Sequence, residues 1–63
     1  MKVIAYQVRE SEDMLIVDLH NFTVERQDPD GNILWREMFL NVEMLTEHVE
    51  TLITNEEIYG AVM

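Results

Sequence analysis

Five residues near the middle of the chain, Asp28-Pro29-Asp30-Gly31-Asn32, constrain the fold more than any other stretch. Aspartate suits the first turn position, proline presets φ at the next, and glycine accepts the left-handed conformation that closes a hairpin. Segments of strand-like composition flank the turn. Residues 22–27 are therefore expected to pair antiparallel with residues 33–39, in a register open by one residue.

The segments before the hairpin read as strands too. Over residues 2–9, Ile4, Tyr6 and Val8 alternate with Ala5, Gln7 and Arg9. Glu10-Ser11-Glu12-Asp13 is polar and aperiodic, so it is a turn. Residues 14–20 form a second strand, apolar on both faces until Asp18, as a central strand would be. The inward set is odd-numbered from Leu15 to Leu19 and even-numbered at Phe22 and Val24. A one-residue slip flips the buried face. Either a bulge in one long strand over 14–27 or a tight bend at His20-Asn21 makes that change.

Asn41 is a good N-cap for a helix over residues 42–53. Val42, Leu45, Val49, Leu52 and Ile53 then share an arc of roughly 100°, the apolar stripe of an amphipathic helix. Continuing the helix would put Glu56 inside that stripe, and Thr54 with Glu57 has the spacing of a capping box. The pattern predicts a break at Thr54-Asn55 and a short second helix over 56–62 carrying Ile58, Tyr59 and Val62. The expected fold is one α+β domain over residues 1–63: a meander of three or four antiparallel strands, then the amphipathic helix and the short one.

Composition bounds the function. The chain has 63 residues and no cysteine, which excludes disulfides, thiolate metal sites and a cysteine nucleophile. A small secreted domain usually carries such staples, so a reducing cytoplasm is expected, the host's if the protein is viral. A hydrophobic fraction of 48% is too high for a disordered acidic tail. The N-terminal segment reaches Gln7, Arg9 and Glu10 before a signal-peptide core can develop. Met14-Leu15-Ile16-Val17, the longest aliphatic run, falls far short of the roughly 20 residues that span a bilayer. A net charge of −9 repels phosphate backbones and anionic membranes, so neither nucleic acid nor membrane is an expected partner.

Chemistry is poorly provided for. Asp28, Asp30 and Asn32 begin a calcium-loop spacing, but Ile33 stands where the loop needs glycine and Phe39 where it needs a bidentate carboxylate. His20 and His48 have no paired ligand spacing. Ser11, the only serine, sits in an acidic turn without glycine, and Lys2, the only lysine, lies at the chain start. No catalytic, metal-binding or cofactor-binding residue is expected.

Charge is distributed unevenly. From Glu37 onward there are six acidic residues and no lysine or arginine. Glu43, Glu47 and Glu50 share a helical arc of about 60°, with Glu57 close to it if helical phase is kept, and the acidic surface is expected to continue towards Glu56 and Glu57. Trp35, Phe39, Tyr59 and Met63 are candidates for an apolar interface, being of types that anchor protein contacts. The sequence thus leads to a binding protein. The expected partner is a protein with a basic surface, and the expected action is inhibition by occluding a nucleic-acid-binding face as a nucleic-acid mimic. Small acidic phage-encoded antagonists of host defence act in this way, a comparison of size and charge. The alternative is a structural or accessory subunit that works as a homodimer or larger assembly, since outer strands leave unpaired backbone for a second copy.

Overall fold

The computed structural model describes the backbone of residues 3–62 and the side chains of residues 3–60. Strands β1 (Val3–Val8), β2 (Met14–Asp18), β3 (Thr23–Gln27) and β4 (Ile33–Met38) follow one another as an antiparallel meander. Helix α1 (Val42–Thr54) then packs on one face, and β5 (Ile58–Val62) joins the far side of β1. The sheet order is β4-β3-β2-β1-β5, so β4 and β5 are its two edges. The α+β class is as expected; the fifth strand is not.

The central hairpin closes as its turn dictates. The Asp28 N–H donates to the Asn32 carbonyl (3.0 Å), the Gly31 N–H donates to the Asp28 carbonyl (2.9 Å), and Gly31 sits at φ +89°. The register is settled: Val24 lies opposite Glu37 and Arg26 opposite Trp35, with Leu34 left over as the extra residue of a bulge. A Cβ added at Gly31 would meet nothing within 4 Å. Gly31→Ala should therefore cost only the left-handed backbone penalty, about 1–2 kcal/mol. A lower urea midpoint with unchanged slope would register it.

Between β2 and β3 the chain makes a tight turn, not a bulge. The Asp18 carboxylate accepts from the backbone N–H of His20 (2.9 Å) and of Asn21 (3.0 Å) and from the Asn21 side-chain amide (2.9 Å). Phe22 completes the reversal at φ 57°. This switches the inward set from Leu15 and Val17 to Val24, all buried. Asp28 repeats the device, accepting from the N–H groups of Asp30 and Asn32 and from the Asn32 amide at 2.9–3.1 Å.

Donors aimed at the ionised form hold both carboxyls below the ordinary 3.8: chiefly the Asn21 N–H and amide at Asp18, and the Asn32 amide and N–H at Asp28. A folded pKa below the unfolded one stabilises fully above the unfolded value and is lost as pH falls through the folded one. Both turns should loosen only below about pH 3.8. In an acid titration by NMR, the amides of His20, Asn21, Asp30 and Asn32 should then exchange faster, ahead of the Leu15 and Val17 amides.

Helix α1 starts at its expected cap, where the Met44 N–H donates to Asn41 Oδ1 (2.9 Å). Leu45 and Val49 are buried with Leu15, Val17, Val24 and Ile58, while Tyr6, Val8, Leu19, Phe39 and Leu52 surround this cluster. Val42 and Ile53, the ends of the expected stripe, stay exposed. Among the described residues no polar side chain is buried.

The second helix expected over 56–62 does not form; that segment is β5. Helix α1 does end where Glu56 would have entered the stripe, but Thr54 and Glu57 make no capping box. Instead the Glu57 N–H donates to the Leu52 carbonyl (2.9 Å) and the Glu56 N–H to the Ile53 carbonyl (3.0 Å). These two bonds are a Schellman closure with Glu56 at φ 59°. Five residues containing a glycine are too few to hold a helix by themselves. The bare edge of β1 offers them ladder hydrogen bonds instead, with Gly60 (φ +59°) at the register shift. Relieving the left-handed glutamate should help: Glu56→Gly is expected to stabilise by about 1 kcal/mol, read as a rise in Tm.

Candidate functional site

Each described arginine is engaged by another residue of the fold. Arg26 on β3 binds Asp13 (2.7 Å) in the β1–β2 turn, and Arg36 binds Glu25 (2.9 Å) across the β3–β4 pair. Glu25 is further occupied by the Gln27 amide (2.6 Å). Arg9 donates through Nε to the Glu56 carbonyl (2.7 Å) and stacks 5.1 Å over the Tyr59 ring, which fastens the helix–β5 turn to the end of β1. Lys2 lies outside the described residues.

Of the thirteen acidic side chains in the sequence, four are thus engaged: Asp13 and Glu25 by arginines, Asp18 and Asp28 by their own turns. The other nine are exposed. Glu10, Glu12, Asp30, Glu37, Glu43, Glu47, Glu50, Glu56 and Glu57 make no ion pair or side-chain carboxylate hydrogen bond with a described residue.

Glu43, Glu47 and Glu50 are exposed along α1, away from the buried Leu45 and Val49, so the expected stripe is present on that helix. Glu56 and Glu57 do not extend it in helical phase, because the helix has already closed. They meet a different residue: Glu10, Glu56 and Glu57 line one depression with Arg9, Ser11 and Arg26. Glu10 was not legible as part of the surface, since it lies 46 residues before Glu56 and is brought there by β5. Both Glu10 (φ 58°) and Glu56 (φ 59°) hold left-handed backbone that glycine would adopt without cost.

The expected apolar residues divide. Phe39 is half-buried and packs on His48, ring centroids 5.1 Å apart. Trp35 points to the helix side of the sheet yet remains 43% exposed, because the buried core under α1 draws on β2, β3 and β5 and on no residue of β4. Tyr59 is exposed beneath Arg9, and Met63 lies outside the described residues. Beside Trp35 an open cleft of about 380 Å³ runs between helix and sheet, floored by Val8, Leu15, Leu52 and Ile58 and rimmed by Glu37, His48 and Glu57.

Among the described residues no three histidine, cysteine or acidic side chains are placed to hold a metal ion. Ser11 Oγ is used in its turn, accepting from the Asp13 N–H (3.0 Å). No described helix is long and apolar enough to cross a membrane. No protein-family model matches the chain, and neither a curated protein nor a solved structure matches it.

Proposed function

We propose that this protein binds a partner protein through its acidic surface and thereby occludes a basic, nucleic-acid-binding face of that partner. The observation that carries the reading is that only Asp13 and Glu25 are held in ion pairs, which leaves nine exposed carboxylates making no ion pair among the described residues. An indifferent surface would intersperse lysines among them, since like charges three and four residues apart on a helix each cost a few tenths of a kcal/mol. The stripe runs from Glu43 to Glu50, about 10 Å of helix at 1.5 Å per residue. Carboxylates in such a row present repeated negative charge to a basic groove as phosphates do, and the field of the whole protein accelerates the encounter. The absence of cysteine suits work in a reducing compartment such as the cytoplasm.

The test is capture from a lysate by the intact protein, with mass spectrometry of what is retained. Charge-led binding should be strong at about 50 mM salt and lost by about 500 mM, as the screening length shrinks from roughly 14 Å to 4 Å. Retention that is flat across this range would sink the proposal.

A further inference from the structure

Strand β4 carries a surface that the acidic reading does not use. All six of its residues are exposed, and they form one edge of the sheet. Ile33, Leu34, Trp35, Met38 and Leu40 are 43–84% exposed. At about 200 Å² per large side chain, these five leave on the order of 600 Å² of apolar surface open to water. They do not form one patch: the β3–β4 register puts Trp35 on the helix side with Arg26, and Ile33 and Met38 on the opposite face with Gln27 and Thr23. What the strand offers along its whole edge is its own backbone. The Phe39 N–H donates to the Phe22 carbonyl (2.8 Å), which fixes the alternation along the β3–β4 pair. The N–H and C=O groups of Arg36 and Met38 therefore face away from β3 and have no partner in the sheet.

Charge identifies the occupant. From Ile33 to Leu40 the chain carries one arginine and one glutamate, a net charge of zero within a protein of −9. A basic partner is drawn to the carboxylates elsewhere, whereas a second copy of this chain can approach this edge with Glu37 as the one uncompensated charge that each strand brings to the contact. We infer that β4 pairs with β4 of a second copy, antiparallel about a two-fold axis normal to the sheet. The product is a continuous ten-stranded sheet with both helices on one face.

Beyond the bulge, the register follows from exclusion. A two-fold axis sets one residue of the strand against itself. Trp35 on the axis would place the bulged residue Leu34 in the new ladder, and the bulge twists that end of the strand away. Arg36 or Glu37 on the axis would set like charges directly opposite, which destabilises a strand pair. Met38 on the axis sets Glu37 against Phe39 and Arg36 against Leu40, and it uses the outward backbone groups of Met38 as a hydrogen-bonded pair.

The natural absence of cysteine makes the test direct. Light scattering at about 100 µM protein should give twice 7.5 kDa, unchanged or better populated between about 50 mM and 500 mM salt because screening relieves the repulsion between two acidic copies. This salt response is opposite in sign to that of partner capture, so either idea can fail without the other. Met38→Cys should oxidise to a self-linked dimer, since an antiparallel hydrogen-bonded pair holds its Cα atoms about 5.5 Å apart, inside disulfide range. Trp35→Cys, Arg36→Cys and Glu37→Cys should not. Met38→Lys, checked for fold by circular dichroism, should give the monomer mass. A monomer for the unaltered chain at both salt concentrations overturns the inference. A dimer that Met38→Lys leaves intact, or one whose self-link occurs at another of the four positions, overturns it equally.

Discussion

Leu45→Ala is expected to remove most of the protein's stability at 25 °C. Leu45 is 0% exposed and is the helix's main contribution to a core of six buried side chains, facing Leu15, Val17 and Val24. Truncating a buried leucine costs about 2–5 kcal/mol, the larger values where the surroundings cannot collapse. A domain of this length has a total stability on the order of 3–9 kcal/mol. Neighbours anchored in a five-stranded sheet cannot move in to fill the gap, so the upper part of the cost range applies. Circular dichroism should show the helical signal lost or a urea midpoint near zero. Ile53→Ala is the control on the same helix: its side chain is exposed, and its loss should cost under about 1 kcal/mol. Equal effects from the two variants would mean that α1 does not pack through Leu45.

Legibility of the fold divided along sequence separation. The 28–32 turn and the Asn41 cap are complete within five residues, with donor and acceptor both local, and the sequence identifies each of them. The change of phase between Leu19 and Phe22 was visible as a necessity, but its form depended on which groups the Asp18 carboxylate would accept from. Residues 58–62 could not be assigned from their own pattern, because Ile58, Tyr59 and Val62 fit a helical spacing as well as a strand. What decides the matter is the free edge of β1, some 50 residues earlier in the chain. Glu10 joined Glu56 and Glu57 by the same long-range pairing. The acidic stripe on α1 was legible because the i, i+4 and i+7 positions of a helix need no tertiary information. That the arginines were already taken was not legible. Arg36 reaches Glu25 through the hairpin register, and Arg26 reaches Asp13 through the β2–β3 register.

If β4 joins two copies, both helices lie on one face and the stripe of Glu43, Glu47 and Glu50 appears twice on a rigid frame. A partner with two basic patches, or a basic dimer, would then engage both, and the second contact would be gained without the entropy of a second encounter. Met38→Lys should in that case weaken partner capture while leaving every carboxylate in place. Undiminished capture by the monomeric variant would show that one stripe suffices.

Replacing Glu43, Glu47 and Glu50 together by glutamine should move stability and binding in opposite directions. The helix carries repulsive pairs at Glu43/Glu47 and Glu47/Glu50, with no lysine or arginine on the same element to offset them. Removing both pairs returns about 0.2–0.5 kcal/mol each. Losing the Glu43 charge from the first helical turn gives back part of that. The net gain should appear as a small rise in Tm, since about 1 kcal/mol shifts a domain of this size by roughly 4–8 °C. Glutamine keeps the shape and the helix propensity, so any loss of capture reports charge alone. Association should slow by a factor on the order of 10 to 1,000, the range that electrostatic steering supplies. Glu12→Gln with Asp30→Asn removes exposed charge from turns remote in sequence from the helix, which separates a located site from a diffuse field. If that pair of changes slows capture as much per charge removed as the helix triple does, net charge and not the stripe is the recognised feature. If the triple variant is more stable and still captures the partner at the original rate, the acidic helix is only a solvated face and its repulsion serves no contact.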